Sequence, residues 1–264
     1  MHLLKKTIKG LFKDDKQNNL ELSPKQLEIV KAIYYKKSKR VQIIAPTQYG
    51  KSMTVAIAVI LDMLFNGENY AIVAGSQPKA DIIMQKIIEL ISHSSLIYNE
   101  LEMEGSETID KLKRERSKKR ITFKNGGEVR TFSADSRNRQ RVLDSLMGFG
   151  SPNIVEDESS LIKDELQVMV MRMLGGYGGG FLCKIGNPSS RNHFYKTWND
   201  PRYEKIFIDY KIGLKEKRYT EEFIDEMIQL PHFDVLYECK FPKENEIDPL
   251  GYRKLYKPYK LVSF

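Results

Sequence analysis

Apolar residues along this chain fall into short continuous runs, separated by longer segments with helical spacing. Residues 41–45 (VQIIA) form a largely β-branched run that stops at Pro46, which predicts a buried strand. The stretch from Lys51 onward (KSMTVAIAVILDMLF) predicts a long helix, residues 70–74 (YAIVA) a second strand, and 78–92 a second helix. Upstream, Ser23-Pro24-Lys25-Gln26 offers a serine N-cap, a proline at the first helical position and a glutamine three residues past the cap. Leu27, Val30, Ala32 and Ile33 then follow at helical spacing. Strand runs without polar alternation are what a parallel sheet covered on both faces requires.

The middle of the chain changes character. Lys111 to Arg120 is a block of seven basic residues against one acid. Beyond it, 121–124 and 128–132 flank Asn125-Gly126-Gly127 and predict an antiparallel hairpin. Residues 153–155 predict another buried strand, followed by a methionine-rich helix to Leu174. Residues 175–180 (GGYGGG) predict a flexible connector into a strand over 181–185. A strand over 205–210 and a helix over 220–230 follow. With no internal repeat and no long linker, one α/β domain over 23–241 is expected. It has a mostly parallel sheet, helices on both faces and an added β-hairpin. A basic arm (1–22) precedes it and a basic, aromatic tail (242–264) follows.

Composition narrows the classes. With 41% hydrophobic and 30% charged residues the chain is ordinary globular material. Cys183 and Cys239 are its two cysteines, too few for a disulfide scaffold or a four-cysteine zinc site. His93, His193 and His232 have no metal-ligand spacing, and His2 sits in the arm. Cys183 reads as a small core residue, and Met169, Met171 and Met173 as packing against the sheet. No run approaches the ~20 apolar residues needed to cross a bilayer, and the lysines of the first segment interleave with its apolar residues, unlike a signal peptide. An intracellular, soluble protein is expected. The formal charge of +8 favours polyanionic partners.

The chemistry concentrates at two places. Ala45-Pro46-Thr47-Gln48-Tyr49-Gly50-Lys51-Ser52 lies between a predicted strand and helix. A phosphate-binding loop needs inward backbone N–H groups, a glycine where the chain approaches phosphate, a lysine for the β/γ-phosphates and a hydroxyl for Mg²⁺. Gly50, Lys51 and Ser52 fill the last three roles, although Ala45 stands where the first glycine is usual. The second place is the end of the 153–155 run, where Glu156-Asp157-Glu158 follow. An apolar strand ending in paired acids suits a nucleotide hydrolase, with Asp157 on the metal and Glu158 as base. Glu156-Asp157 is the other possible register, and a helix-dipole role for the acids is the plainer alternative.

These residues resemble the ATPase domain of the large terminase subunit, the DNA-packaging motor of tailed bacteriophages. Pro46 to Ser52 is similar to that family's phosphate loop, with Thr47 where an arginine is usual. Gly148-Phe149-Gly150 ahead of Glu156-Asp157-Glu158 resembles its second phosphate motif. Residues 181–188 (FLCKIGNP) resemble its coupling strand, with Asn187 at the tip, and 236–241 (LYECKF) the stretch that closes the domain. The resemblance implies a P-loop NTPase fold of the ASCE, RecA/helicase-like kind, binding ATP and Mg²⁺. It implies catalytic roles for Lys51 and Glu158, nucleotide contacts from residues 46–52 and Asn187, and metal contacts from Ser52 and Asp157.

The resemblance also bears on further positions. It implies an adenine contact for Gln26, which equally fits as a capping-box partner of Ser23. Arg137, Arg139 and Arg141 lie near the family's arginine finger, and Arg139 is the candidate among them; a solvated basic loop is the alternative. The implied partners are double-stranded DNA, a homo-oligomeric ring on the capsid portal, the portal protein and a small terminase subunit, in the host cytoplasm. The 111–120 block is a candidate DNA-tracking surface, although a solvated helix face is the commoner explanation of such a charge run. The family's nuclease domain has no room after Phe241, so the chain reads as the ATPase part of a longer protein. A helicase-like translocase and a basic module holding a structural nucleotide are the competing readings.

Overall fold

The structure is a computed structural model that describes residues 2–14, 16–103, 119–134, 146 and 148–243. Most of the 111–120 charge block, Arg137, Arg139, Arg141 and nearly all of the tail lie outside the described residues. Each predicted strand is present: β1 (Arg40–Ile44), β2 (Asn69–Ala74), β3 (Arg120–Thr122), β4 (Glu128–Ser133), β5 (Asn153–Asp157), β6 (Phe181–Gly186) and β7 (Glu204–Phe207). They form one sheet in the order β3-β4-β2-β5-β6-β1-β7. Every pairing is parallel except β3 with β4, the expected hairpin. Its turn docks on the domain, because the Asn125 amide donates to the carbonyls of Met63 (2.9 Å) and Leu64 (3.0 Å).

Three helices cover one face: α2 (Pro24–Tyr35), α3 (Lys51–Asn66) and α4 (Gln77–Ser92). α3 is buried nearly all round, from Thr54 to Met63, which explains its almost wholly apolar sequence. With Val41, Ile43, Val155, Cys183 and Ile185 it builds the main core. On the other face, Leu166, Val170 and Met173 of a helix we number α6 (Asp164–Met173) pack on Ala71, Val73, Ile154 and Leu182. A short helix, α5 (Ser95–Tyr98), follows α4. Past β6 the chain forms α7 (His193–Trp198), then after β7 three short helices, α8 (Tyr210–Lys215), α9 (Glu221–Ile228) and α10 (Phe233–Leu236). Tyr219, Ile224 and Tyr237 form a small aromatic core of their own there.

Three segments differ from their sequence reading. The basic arm contains a helix, α1 (His2–Leu11), whose Leu4 and Ile8, with Phe12 just beyond it, are buried in the main core. The lysines that make the segment look like a loose arm are the exposed side of an amphipathic helix. The glycine connector forms a 3₁₀ turn at Gly175–Tyr177. It is pinned by Arg40, which donates to the carbonyls of Gly179 (2.6 Å) and Gly180 (2.8 Å). The 205–210 run is a strand only to Phe207, because Asp209 caps α8 by accepting from the Ile212 N–H at 3.0 Å. Among the described residues no helix is long and apolar enough to cross a membrane.

Candidate active site

The loop 45–50 leaves the carboxyl end of β1 and enters α3, so Lys51 opens a 16-residue helix. Asp157 ends β5, and Asn187 directly follows β6. The sheet order places β6 between β5 and β1, so all three carboxyl ends converge where open α/β sheets bind ligands. Gln48 (φ 57°) and Gly50 (φ 95°) turn the loop through left-handed backbone. Gly50 has no room for a side chain either: a Cβ would stand 2.8 Å from Gln26 Nε2 and 3.2 Å from Arg218 Nη2.

The Lys51 ammonium is 7% exposed and crosses the mouth of the loop. It donates to the carbonyls of Ala45 (3.3 Å) and Pro46 (3.0 Å) and to Asn187 Oδ1 (3.1 Å), and lies 3.7 Å from Glu158 Oε1. Ser52 Oγ donates to Asp157 Oδ2 at 3.3 Å. The other carboxylate oxygen, Asp157 Oδ1, is buried without a hydrogen-bond partner. Burial, and then the charge of Glu158, push the Asp157 carboxyl up to about 6, against the pull of Lys51. A buried carboxylate with one oxygen unsatisfied, beside a hydroxyl, suits a divalent cation: hard oxygen donors and uncompensated negative charge. The phosphate lysine, the polar tip of β6 and the Asp157-Glu158 acids, which lie far apart in sequence, are thus gathered around one point.

Glu156 lies elsewhere. Side chains alternate along β5, so Glu156 points to the opposite face of the sheet from Asp157. There it is fully buried, accepts from Ser159 Oγ (2.5 Å) and Gln167 Nε2 (2.8 Å), and lies 3.9 Å from Lys184. Lys184 in turn donates to His193 Nδ1 at 2.8 Å, which leaves the ring proton on Nε2 to reach the Ile162 carbonyl at 2.9 Å. Of the two acid registers, the geometry brings Asp157-Glu158 to the loop. Glu158 itself adopts left-handed backbone (φ 51°), a conformation costing a non-glycine residue of order 1–3 kcal/mol. The turn after it is clamped from the loop following Asn187. Ser190 Oγ (2.6 Å) and Asn192 Nδ2 (2.9 Å) donate to the Ser160 carbonyl, and Ser160 and Ser189 share a 2.6 Å hydrogen bond.

Two residues expected at the nucleotide are otherwise engaged. The Gln26 side chain is fully buried; its Oε1 accepts from the Ser23 N–H (3.1 Å) and its Nε2 donates to the Tyr49 carbonyl (3.1 Å). That is the capping-box geometry, extended into a brace for the loop. The Tyr49 ring is also fully buried, and its hydroxyl donates to Glu216 while Ser23 Oγ lies 3.1 Å away. Tyr49 anchors the loop from behind, so its side chain faces the core. Pro46 is buried, Thr47 half-buried and Gln48 exposed. Thr47 is held through its backbone: its N–H donates to the Leu236 carbonyl (3.0 Å), and Tyr219 Oη donates to its carbonyl (2.6 Å). Glu216 and Tyr219 have no motif to announce them, since their contribution depends on where the chain returns.

Comparison with known proteins bears on the family and the fold. Residues 42–245 match the model of the N-terminal region of T4likevirus-type terminase large subunits. No curated protein matches the sequence. Among solved structures the chain is similar to the large terminase ATPase domain of Thermus phage P74-26, with 19% identity, TM-score 0.63 and coverage of 88% of this chain and 100% of that one. It is also similar to the HK97 bacteriophage large terminase, with 12% identity, TM-score 0.69 and coverage of 90% and 54%. A large terminase of a thermophilic bacteriophage, solved with ADP, matches at 12% identity and TM-score 0.59, over 83% of this chain and 53% of that one. The chain spans about half the length of these last two. At such identities the likeness shows the shared P-loop fold, and the family follows from the match over 42–245. The chain belongs to the terminase large subunits of the T4likevirus type, and residues 42–245 correspond to their N-terminal region.

Proposed function

We propose that this chain hydrolyses ATP with Mg²⁺ to drive double-stranded viral DNA into a procapsid. The observation that carries the reading is the convergence of Lys51, Ser52, Asp157, Glu158 and Asn187 at the carboxyl ends of β1, β5 and β6. Lys51 binds the β/γ-phosphates, exchanging its carbonyl and Glu158 partners for phosphate oxygens. Ser52 and Asp157 would hold a magnesium ion, which would supply charge neutralisation at the phosphates. Glu158 orients a water in line with the γ-phosphorus and accepts its proton as the new P–O bond forms and the β–γ bridge breaks. The left-handed turn fixes that carboxylate at the site. Asn187 Oδ1 holds Lys51, so departure of the γ-phosphate is felt at the tip of β6, and its amide donates to Leu236 at 3.1 Å. An adenine contact by Gln26 would require its amide to leave Ser23 and Tyr49. A trans-acting arginine from the 137–141 stretch, with Arg139 foremost, belongs to the same reading, as do the portal ring and the small subunit.

The test is Glu158→Gln. It is expected to keep nucleotide affinity and to lower phosphate release by at least ~100-fold, the usual range for removing a positioned base. Release at the wild-type rate would overturn the assignment of Glu158.

A further inference from the structure

The four variable positions of the phosphate loop, Pro46 to Tyr49, carry no positive charge. A segment far along the chain lies beside them. Three of the four residues 216–219 engage the loop or stand against it. Glu216 accepts from the Tyr49 hydroxyl and, at 2.8 Å, from the Lys25 N–H. Tyr219 donates to the Thr47 carbonyl at 2.6 Å. Arg218, between them, places Nη2 3.2 Å from where a Gly50 Cβ would lie.

The segment is held in shape independently. Lys217 is left-handed (φ 56°), the Arg218 N–H donates to the Gly213 carbonyl at 2.8 Å, and the Tyr219 ring covers Gly213 so closely that a Cβ there would meet it at 2.4 Å. With its neighbours committed to holding the strap, the Arg218 guanidinium is left exposed. Among the described residues it makes no hydrogen bond or ion pair. Exposure alone would mean nothing for an arginine. A strap that fixes the backbone on both sides of an unpaired guanidinium beside the phosphate loop is a different matter, because the ordering of that charge is already provided.

We propose that Arg218 is a nucleotide-contacting residue, meeting the α/β part of the polyphosphate at Gly50. The inference rests on the ATPase reading above and adds a residue to it. Glu158 and Asn187, both at Lys51, mark the end where the terminal phosphate is cleaved. Arg218 Nη2 instead stands 3.2 Å from where a Gly50 Cβ would lie, a place also within 2.8 Å of Gln26 Nε2, and it takes no part in the contacts of Lys51. A planar guanidinium there supplies charge-assisted donors that the loop's own side chains lack.

The experiment measures affinity of the whole chain for fluorescent ADP and for a non-hydrolysable fluorescent ATP analogue, with Mg²⁺. Arg218→Ala is expected to weaken both roughly tenfold, as loss of one charge-assisted contact does, with an unchanged melting temperature. Arg218→Gln should behave like alanine, and Arg218→Lys should recover most of the loss. Wild-type affinity for both ligands in Arg218→Ala and Arg218→Gln, while Lys51→Ala loses uptake, would overturn the role of Arg218 and leave the nucleotide site standing. Weakening of the ATP analogue alone would move the contact to the γ-phosphate and overturn the α/β assignment. Absence of uptake by the wild-type chain would remove the nucleotide reading and this inference together.

Discussion

Tyr49 shows how a residue inside a ligand-binding motif can serve the fold. Its position in the loop suggests a nucleotide contact, yet the ring is buried and the hydroxyl is shared between Glu216 and Ser23. Burial and the neighbouring Glu216 carboxylate push the phenol well above its ordinary range, so it stays a neutral donor at any working pH. Tyr49→Phe keeps the packing and leaves Glu216 without this donor. It is expected to cost roughly 1 kcal/mol of stability, the usual net worth of one hydrogen bond, and to raise the KM for ATP more than it lowers kcat. Thermal unfolding and steady-state phosphate release check this. A loss confined to kcat would mean the hydroxyl acts on the chemistry and does not merely hold the loop.

At the scale of elements, β5 and β6 are joined by more than their backbone ladder. Glu156 and Lys184 are register partners, both almost completely buried, in a network with Ser159, Gln167 and His193. Desolvation draws the Lys184 ammonium below its ordinary pKa, against the attraction of Glu156. A buried pair of this kind contributes little net stability, but removing one partner strands the other. Lys184→Met is expected to cost about 3–5 kcal/mol. The double variant Glu156→Gln with Lys184→Met should lose clearly less than the two single losses added together. Denaturant unfolding of the four proteins measures the coupling. Additive losses would show that the two strands are aligned by their ladder alone. The same network adjoins the turn that presents Glu158, so the strand bearing the acids and the strand bearing Asn187 are tied on both faces of the sheet.

For the molecule as a whole, the relevant quantity is its formal charge of +8. Duplex DNA binds such a surface by releasing counterions, so affinity falls linearly with salt on logarithmic axes. The chain is expected to bind duplexes of unrelated sequence about equally, losing at least ~10-fold between 50 and 200 mM salt. Fluorescence anisotropy with two duplexes of different sequence tests this; affinity indifferent to salt would remove DNA gripping from this part of the motor. The lysines of α1 and the 111–120 block are the places to look first, and charge reversal in each would locate the contact.

Much of this architecture was legible in the sequence, because the informative features were local. Strands β1, β2, β5 and β6 are mostly apolar runs, with the GKS triplet just past β1 and the acids at the end of β5, so the runs implied a covered parallel sheet and the motifs put its chemistry at the strands' carboxyl ends. The capping box at Ser23 was equally plain, since both of its hydrogen bonds lie within four residues. What the sequence left open was decided by distance in the chain. Glu156 and Asp157 are adjacent and chemically alike, and only the pleat of β5 against its neighbours sends one to Ser52 and the other to Lys184. Gln26 could face a base or a backbone until the carbonyl of Tyr49, 23 residues away, took its amide. Arg218, Tyr219 and Leu236 reach the phosphate loop because three short helices fold back over it. No local pattern encodes that return, since its contacts exist only once the sheet has brought residues almost two hundred positions apart within hydrogen-bonding distance.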